Sequence, residues 1–209
     1  MARALTPPPL GLYVHLPWCV QKCPYCDFNS HALRGALPER DYIAALLLDA
    51  EREAQVAARR PVETIFIGGG TPSLFSANAI QRLLDGLRER LEIAADAEVT
   101  LEANPGRADA ERFAGFIHAG VNRLSIGVQS FNDQALHKLG RIHDGNEARQ
   151  AIIAAQRAGF ERINVDLMHG LPGQDLNSAL ADVEQALDLG IRHLSHYQLT
   201  LEPDTAFFN

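Results

Sequence analysis

The sequence predicts an α/β fold in which parallel strands alternate with helices. Short runs rich in Val, Ile, Leu and Phe alternate with longer amphipathic segments along the 209 residues. Three predicted helices end in the same way, with a glycine and then an apolar residue, at Gly120-Val121, Gly159-Phe160 and Gly190-Ile191. Such repeated joints are typical of parallel strands linked by right-handed crossovers. Because six strand candidates are too few for a closed eight-stranded barrel, a partial barrel and an open doubly wound sheet remain as the choices.

The individual elements follow from the spacing of apolar residues. The strand candidates are apolar runs, as expected for strands covered on both faces, and they span Leu12–Leu16, Val62–Ile67, Val99–Ala103, Asn122–Gly127, Ile163–Leu167 and Leu194–Thr200. Apolar residues at helical spacing predict five intervening helices, with apolar faces within Ile43–Ala54, Ile80–Leu91, Phe113–Ile117, Ala148–Ala155 and Leu176–Leu187. The last of these faces consists of Leu176, Leu180, Val183 and Leu187. No low-complexity linker divides the chain, so we expect residues 1–209 to form one domain.

The composition is that of a globular chain with a large core, since 46% of the residues are hydrophobic and 22% are charged. It excludes a disordered tail, a coiled coil and a collagen-like rod. The net charge of −7 argues against binding to nucleic acid or anionic membranes through overall charge. The sequence has no recognisable targeting signal and no apolar run of membrane-spanning length, so we expect a cytoplasmic protein without a membrane span.

The chain has three cysteines, Cys19, Cys23 and Cys26, directly after the first predicted strand. An odd number of cysteines this close together is a poor disulfide framework and favours a metal or cluster site in a reducing compartment. A 4Fe–4S cluster ordinarily takes four cysteines, so three would leave one iron open to a small molecule. The spacing alone also allows a structural zinc site completed by His15 or His31.

A run of glycines follows the second predicted strand, in Ile67-Gly68-Gly69-Gly70-Thr71. It lacks the Gly-Lys-Ser/Thr of a phosphate-binding loop and the spaced third glycine of a dinucleotide fingerprint, which disfavours a phosphate cradle. Glycines at this place let the backbone approach a ligand closely. A plain tight turn between strand and helix is the alternative.

Polar residues recur where the later strands end. Glu102, Gln129 and Asp166 end predicted strands, and Arg141 follows the fourth strand in Leu139-Gly140-Arg141. A carboxylate within an apolar run needs a partner because an unpaired buried charge is costly. A structural ion pair or loop hydrogen bond would satisfy it. The recurrence at one end of the sheet favours a ligand site instead, in which carboxylates bind hydroxyl or ammonium groups and Arg141 binds a carboxylate.

The CxxxCxxC spacing, with the aromatic Tyr25 before the last cysteine, resembles the radical S-adenosylmethionine (SAM) superfamily. The resemblance implies a partial (β/α)6 barrel of parallel strands with outer helices, and residues 1–209 would be its core domain without the C-terminal region of the family. It also implies that Cys19, Cys23 and Cys26 hold a 4Fe–4S cluster whose open iron SAM chelates through its amino and carboxylate groups. One electron from the cluster would then cleave SAM to a 5′-deoxyadenosyl radical.

Six segments in fixed order resemble one branch of that superfamily, the oxygen-independent coproporphyrinogen III oxidase group. These segments are YVHLPWCVQKCPYCDF, IFIGGGTPS, LEANPG, NRLSIGVQSF, LGRIH and INVDLMHGLPGQ. The resemblance implies no further catalytic residue. It places the contacts with SAM on nine residues, which are Tyr13, Tyr25, Gly69, Gly70, Thr71, Glu102, Gln129, Arg141 and Asp166.

The segment after the cysteines distinguishes two activities within this group. The oxidases typically have one more cysteine shortly after the triad, where this sequence has Phe28 after Asp27. The segment from Trp18 to His31 instead resembles the HemW branch, understood as haem chaperones that deliver haem to haem-requiring membrane enzymes such as respiratory complexes. That resemblance also implies a reductant such as flavodoxin or ferredoxin, and a haem-binding histidine segment in a C-terminal part that these residues do not include.

Three functions therefore remain open from the sequence. The first is a cluster- and SAM-binding haem chaperone. The second is a coproporphyrinogen III oxidase, which decarboxylates propionate side chains to give protoporphyrinogen IX. The third is a zinc-stabilised βα binding domain. Phe28 favours the first over the second.

Overall fold

The computed structural model describes residues 7–208, and within them the side chains of all but residues 107–111. In this part of the chain, six parallel strands form one sheet: β1 (Leu10–Leu16), β2 (Val62–Gly69), β3 (Ile93–Ala103), β4 (Arg123–Gln129), β5 (Arg162–His169) and β6 (His193–Gln198). The strands lie side by side in chain order, with β1 and β6 at the two edges. A doubly wound sheet reverses its strand order at a switch point, and this sheet does not. The predicted partial barrel is confirmed.

Helices connect the strands, and their bounds are α1 (Glu39–Ala57), α2 (Ala77–Arg88), α3 (Arg107–His118), α4 (Asp133–Lys138), α5 (Gly145–Ala158) and α6 (Leu176–Asp188). A short 3₁₀ helix also lies at Pro72–Leu74. The sequence did not predict α4, because six residues are too few to show a helical period. The side chain of Asn132 caps its first turn by accepting the backbone N–H of Ala135 at 3.1 Å.

The hydrophobic core lies between the helices and one face of the sheet. Phe113 of α3 and Val165 and Leu167 of β5 are almost completely buried in it. Their neighbours in β5, Asn164 and Asp166, point to the opposite, inner face of the barrel, because successive strand side chains alternate. Asn164 is only 4% exposed, so β5 is covered on both faces as expected, but its inner face carries polar side chains.

The apolar face predicted for α6 is also wrong. Leu176, Leu180 and Leu187 are 72%, 49% and 56% exposed, and only Val183 of that face packs against the core. The helix is turned so that Asp182 faces inward and is buried. The hydrogen bonds of the buried Asp182 carboxylate, and not the spacing of the leucines, correspond to the side of the helix that faces the barrel.

The predicted joints between helices and strands are present. Gly120, Gly159 and Gly190 have φ values of +102°, +103° and +78°, the left-handed conformation that ends a helix. No helix between residues 7 and 208 is both long enough and apolar enough to cross a bilayer.

Candidate SAM and iron–sulfur site

A pocket of about 360 Å³ opens at the carboxyl ends of the strands. This volume is in the range of small-molecule binding sites. Eleven of the twelve predicted site residues line it: Cys19, Cys23, Tyr25, Cys26, Gly69, Gly70, Thr71, Glu102, Gln129, Arg141 and Asp166. Tyr13 is the predicted residue that does not. The fold thus brings together residues separated by up to 147 positions in the sequence, from Cys19 to Asp166.

The three cysteines lie on a loop that is fixed at both ends. Trp18–Cys19 forms a short parallel bridge with His31–Ala32. The Trp18 carbonyl accepts a hydrogen bond from the backbone N–H of Thr71 at 2.7 Å. The Trp18 ring packs edge-on against the Tyr42 ring, with the two ring centroids 4.6 Å apart. These contacts hold the cysteine loop against the end of β2, which places the three thiols along one wall of the pocket.

The donor set of the loop consists of three thiols, the ligand type that an iron–sulfur cluster takes. All three thiols are free and partly exposed. His15 already uses Nδ1 on the Tyr13 hydroxyl at 3.0 Å and Nε2 on the Asn29 carbonyl at 2.9 Å. Among the residues that the structure describes, no group of three or more His, Cys, Asp or Glu side chains is arranged to hold a single metal ion. A cluster distributes its thiolate ligands over separate irons, so these ligands need not meet at one point.

The glycine run allows the cysteine loop to lie directly on β2. A Cβ atom on Gly70 would be 2.5 Å from the Trp18 carbonyl oxygen, closer than any side chain tolerates. Gly69 has φ +121°, which other residues rarely adopt. A tight turn therefore accounts for part of the motif. The same glycines also line the pocket, where they present backbone and no side chain to a ligand.

Glu102 and Asp166 place two carboxylates on the pocket. Glu102 accepts the backbone N–H of Gly69 at 3.0 Å, and burial raises its pKa from 4.5 to about 7. Asp166 accepts hydrogen bonds from the Ser125 hydroxyl at 3.1 Å and the Asn164 amide at 2.8 Å. Burial raises its pKa too, and these hydrogen bonds oppose the rise. A cationic ligand group would stabilise both ionised forms.

The ion-pair alternative for these carboxylates finds no support. Among the described side chains, neither Glu102 nor Asp166 lies within salt-bridge distance of a basic group. Their partners in the structure are a backbone N–H for Glu102 and neutral side chains for Asp166. The hydrogen bond from Gly69 to Glu102 is instead the kind of loop contact that was the other alternative. Burial opposes ionisation of both carboxyl groups, and a positively charged ligand group would counteract it.

Arg141 is the buried cation of the site. Its Nη2 donates to Asn104 Oδ1 at 2.7 Å and to the Gly127 carbonyl at 2.8 Å, and its Nη1 donates to the Cys23 sulfur at 3.4 Å. Its buried Nε has no hydrogen-bond partner among the described residues. The guanidinium thus links the cysteine loop to the end of β4. Tyr25 packs beside it, and burial raises the pKa of the Tyr25 hydroxyl.

Gln129 ends β4 in an unusual conformation. Its φ is +67°, and a bulge interrupts the pairing of β4 with β5 between Gly127 and Gln129. The amide nitrogen donates to the Tyr197 hydroxyl at 3.5 Å, and the buried amide oxygen has no partner within the described structure. A buried acceptor without a donor is costly, so this oxygen suits a ligand that donates a hydrogen bond.

Tyr13 lies apart from the pocket. It is on β1, 57% exposed, and stacks on Phe66 of β2 with ring centroids 6.3 Å apart. Burial and, to a smaller extent, the charge of Glu102 raise the pKa of its hydroxyl. Its predicted contact with SAM stays a prediction.

Among the pocket-lining residues that sequence reasoning did not assign to the site are Asn104, Ser125 and Tyr197. Asn104 donates to the Thr71 hydroxyl at 2.9 Å and accepts from Arg141, so it joins two predicted residues. An Asn before a Pro at a strand end was a signal that could have found it. Ser125 and Tyr197 gave no such signal, because Ser and Tyr are common within strands.

Comparison with known proteins decides the family. The sequence pattern of the Radical SAM superfamily matches residues 13–186, which include the cysteine triad and the polar ends of β2 to β5. The chain belongs to this superfamily. Radical SAM proteins are understood to use a 4Fe–4S cluster and SAM.

The most similar relatives support the narrower resemblance. This radical SAM chain is 59% identical to "Heme chaperone HemW" of Escherichia coli over 200 residues, which cover 96% of the chain and 53% of the relative. It is 53% identical to the protein of that name from Haemophilus influenzae over 204 residues, which cover 96% of the chain and 53% of that relative. The chain therefore spans about half the length of these curated relatives.

A solved structure confirms the fold. The coproporphyrinogen III oxidase HemN from Escherichia coli, described as a radical SAM enzyme, superposes with a TM-score of 0.84 at 32% sequence identity. The match covers 96% of this chain and 46% of the oxidase.

Proposed function

We propose that residues 1–209 are the radical SAM core domain of a haem chaperone, and that they bind a 4Fe–4S cluster and SAM. One observation carries the proposal: three free thiols, two buried carboxyl groups and an amide oxygen without a partner among the described residues line a single pocket. These groups complement a cluster with an open iron and a ligand that carries positive charge and hydrogen-bond donors.

Cys19, Cys23 and Cys26 would hold the cluster. When bound, the cluster supplies the electron that makes reductive cleavage of SAM possible. The Arg141 guanidinium lies against this ligand set and donates a hydrogen bond to the Cys23 sulfur at 3.4 Å. Burial raises the pKa of the Cys19 thiol, and hydrogen bonds from Thr71 and Ser30 counteract it.

SAM would lie against the strand ends. We assign Glu102 and Asp166 to its ammonium or ribose groups, because both are buried hydrogen-bond acceptors that line the pocket. Gly69, Gly70 and Thr71 present backbone groups there, and Gln129 presents its free amide oxygen. The three remaining residues of the assignment are Arg141, Tyr25 and Tyr13. Arg141 lies between the cysteine loop and the end of β4, Tyr25 lines the pocket, and Tyr13 lies on β1 outside its lining.

Haem handling is proposed from the relatives. The 59% identity to a protein named heme chaperone exceeds the 32% identity to the oxidase. Phe28 occupies the place of the extra oxidase cysteine and is 63% exposed beside the pocket. We propose that haem binds in the part of the longer relatives that this chain does not cover. We further propose haem-requiring membrane enzymes as acceptors, flavodoxin or ferredoxin as reductant, and the cytoplasm as location.

Anaerobic reconstitution tests the cofactors. The chain is incubated with iron and sulfide, and its iron, sulfide and zinc contents are measured. About four irons are expected, together with an electron paramagnetic resonance (EPR) signal of the reduced cluster that changes when SAM is added. Tight binding of zinc without cluster formation would contradict the proposal.

A second experiment separates chaperone from oxidase. The protein at its full natural length is given coproporphyrinogen III under anaerobic reduction and, separately, haem. Haem binding without turnover is expected for the chaperone. Formation of protoporphyrinogen IX would instead establish the oxidase.

A further inference from the structure

The end of β4 is held from three sides. The Gly127 carbonyl accepts from Arg141 at 2.8 Å, and the Val128 carbonyl accepts from the His143 ring at 3.1 Å. The third anchor comes from α6, where Asp182 binds the two residues that follow Gln129. The bulge at Val128 and the left-handed Gln129 lie between these anchors.

Asp182 makes two short hydrogen bonds to this loop. Its Oδ2 accepts the Ser130 hydroxyl at 2.7 Å and its Oδ1 accepts the backbone N–H of Phe131 at 2.7 Å. The residue is only 4% exposed. Hydrogen bonds to an ionised carboxylate in such surroundings are strong, and removing them leaves the loop donors unpaired.

The loop needs this anchor because of the backbone before it. A non-glycine residue with φ +67° persists only where its surroundings enforce it. Gln129 is followed directly by Ser130 and Phe131, so fixing these two residues fixes the direction in which the Gln129 side chain leaves the strand. Asp182 itself does not line the pocket.

We propose that Asp182 is a positioning residue for SAM binding, which holds Ser130 and Phe131 so that the amide of Gln129 points into the pocket. This inference rests on the proposed SAM site. It assigns a role to the buried carboxylate that turns α6 away from its apolar period. The competing explanation is that Asp182 only fastens α6 to the barrel.

The same helix offers a control for that competing explanation. Asp175 caps α6 by accepting the backbone N–H of Ser178 at 2.8 Å, and it is exposed. Asp175→Ala therefore weakens α6 without touching the loop after β4. A purely structural role of Asp182 predicts similar effects from both substitutions once their stabilities are matched.

The experiment measures SAM dissociation constants of the reconstituted chain by equilibrium dialysis. For Asp182→Ala we expect affinity to fall about three- to tenfold, the worth of one hydrogen bond, with iron content unchanged. The SAM affinity of Asp182→Asn should lie between those of Asp182→Ala and the unmodified chain, because the amide oxygen of the asparagine can still accept the backbone N–H of Phe131. The double variant of Asp182→Ala with Gln129→Ala should bind no more weakly than Gln129→Ala alone, since Asp182 acts through Gln129.

Several results would overturn the proposal. SAM affinity of Asp182→Ala equal to that of Asp175→Ala would do so, as would additive effects in the double variant. If Asp182→Ala does not fold, Ser130→Ala removes one of the two hydrogen bonds and should weaken SAM binding to a smaller degree. Unchanged binding by that variant also contradicts the proposal.

Amide hydrogen exchange separates this inference from the proposed function. In the chain without SAM, Asp182→Ala should accelerate exchange at residues 129–131, whereas Asp175→Ala should not. Failure of the unmodified, cluster-loaded chain to bind SAM would refute the proposed function. Unchanged exchange at residues 129–131 would refute the anchor itself.

Discussion

Arg141 donates a hydrogen bond from Nη1 to the sulfur of Cys23 at 3.4 Å. The sequence predicted both residues for the site but gave no reason to pair them, because they are 118 positions apart. The same guanidinium binds Asn104 and the Gly127 carbonyl, so it is held rigidly beside the cysteine loop. Hydrogen bonds to cysteine sulfurs are among the factors that set the reduction potential of an iron–sulfur cluster.

We therefore expect Arg141→Met to make the reduction potential of the cluster more negative. Loss of one hydrogen bond to the thiolate, worth about 1 kcal/mol, corresponds to about 40 mV for a one-electron couple. The potential is measured by an EPR-monitored redox titration of the reconstituted chain. Arg141→Lys keeps the positive charge, so its reduction potential should lie between those of the unmodified chain and Arg141→Met. SAM affinity should weaken in Arg141→Met, and equal potentials in all three proteins would contradict the assignment.

Replacement of any one cysteine should abolish stable cluster binding. Cys19→Ala, Cys23→Ala and Cys26→Ala each leave two thiols, and no other cysteine exists in the sequence to replace the third. The measurement is iron and sulfide per chain after anaerobic reconstitution and desalting. Ser30→Ala is the matched control, because the Ser30 hydroxyl lies 3.9 Å from the Cys26 sulfur and is no ligand. A full 4Fe–4S cluster in any cysteine variant would be incompatible with the proposed ligand set.

The sequence predicted the barrel because periodicity and helix-ending glycines are local signals. All six strands and the Gly120, Gly159 and Gly190 joints could be found without knowing any tertiary contact. The orientation of α6 could not, since it depends on a hydrogen bond between Asp182 and a loop 51 residues earlier in the chain. The spacing of Leu176 and Leu180 correctly predicted a helix, but the expectation that these two side chains are buried was wrong.

The same division holds for the candidate site. Residue types with few other uses, such as clustered cysteines and carboxylates in apolar runs, indicated their place in one pocket. Asn104 and Tyr197 were missed because only their tertiary contacts connect them to the site. Asn104 contacts Thr71 and Arg141, and Tyr197 contacts Gln129. The roles of all these residues toward SAM remain predictions.

Glu102 should make the ligand-free chain less stable as the pH rises. Its folded-state pKa of about 7 lies above the usual 4.5, so its contribution to stability is fully present below pH 4.5 and is lost as the pH rises through 7. Glu102→Gln keeps an oxygen for the Gly69 N–H and removes the charge. We expect its free energy of unfolding to exceed that of the unmodified chain by about 1–3 kcal/mol above pH 7, and SAM affinity to fall.

Urea unfolding of the cluster-free chain between pH 4 and pH 8 checks this expectation. Glu63→Gln, on an exposed glutamate of β2, is the control and should change the pH dependence little. Identical pH profiles for Glu102→Gln and the unmodified chain would show that the carboxyl group titrates normally. Stabilisation together with unchanged SAM affinity would remove Glu102 from the SAM site.

His143 should have the opposite effect at acidic pH. Burial and then the nearby Arg141 guanidinium lower its pKa from 6.5 to about 4, so the folded state favours the neutral ring that donates to the Val128 carbonyl. Since the unfolded chain takes up the proton first, stability is lost as the pH falls from 6.5 to 4. Between pH 4.5 and 6.5 this slope opposes that of Glu102, and the two partly cancel in the unmodified chain.

The cancellation makes His143→Gln informative. A glutamine can still donate to the Val128 carbonyl but takes up no proton. The contribution of His143 to the pH dependence of stability is therefore lost, and the contribution of Glu102 remains. We expect the free energy of unfolding of this variant to fall more steeply with rising pH across 4.5–6.5 than that of the unmodified chain, by about 1–3 kcal/mol. His118→Gln, on an exposed histidine of α3, should keep the profile of the unmodified chain. The same profile in His143→Gln would mean that His143 does not titrate as its surroundings require.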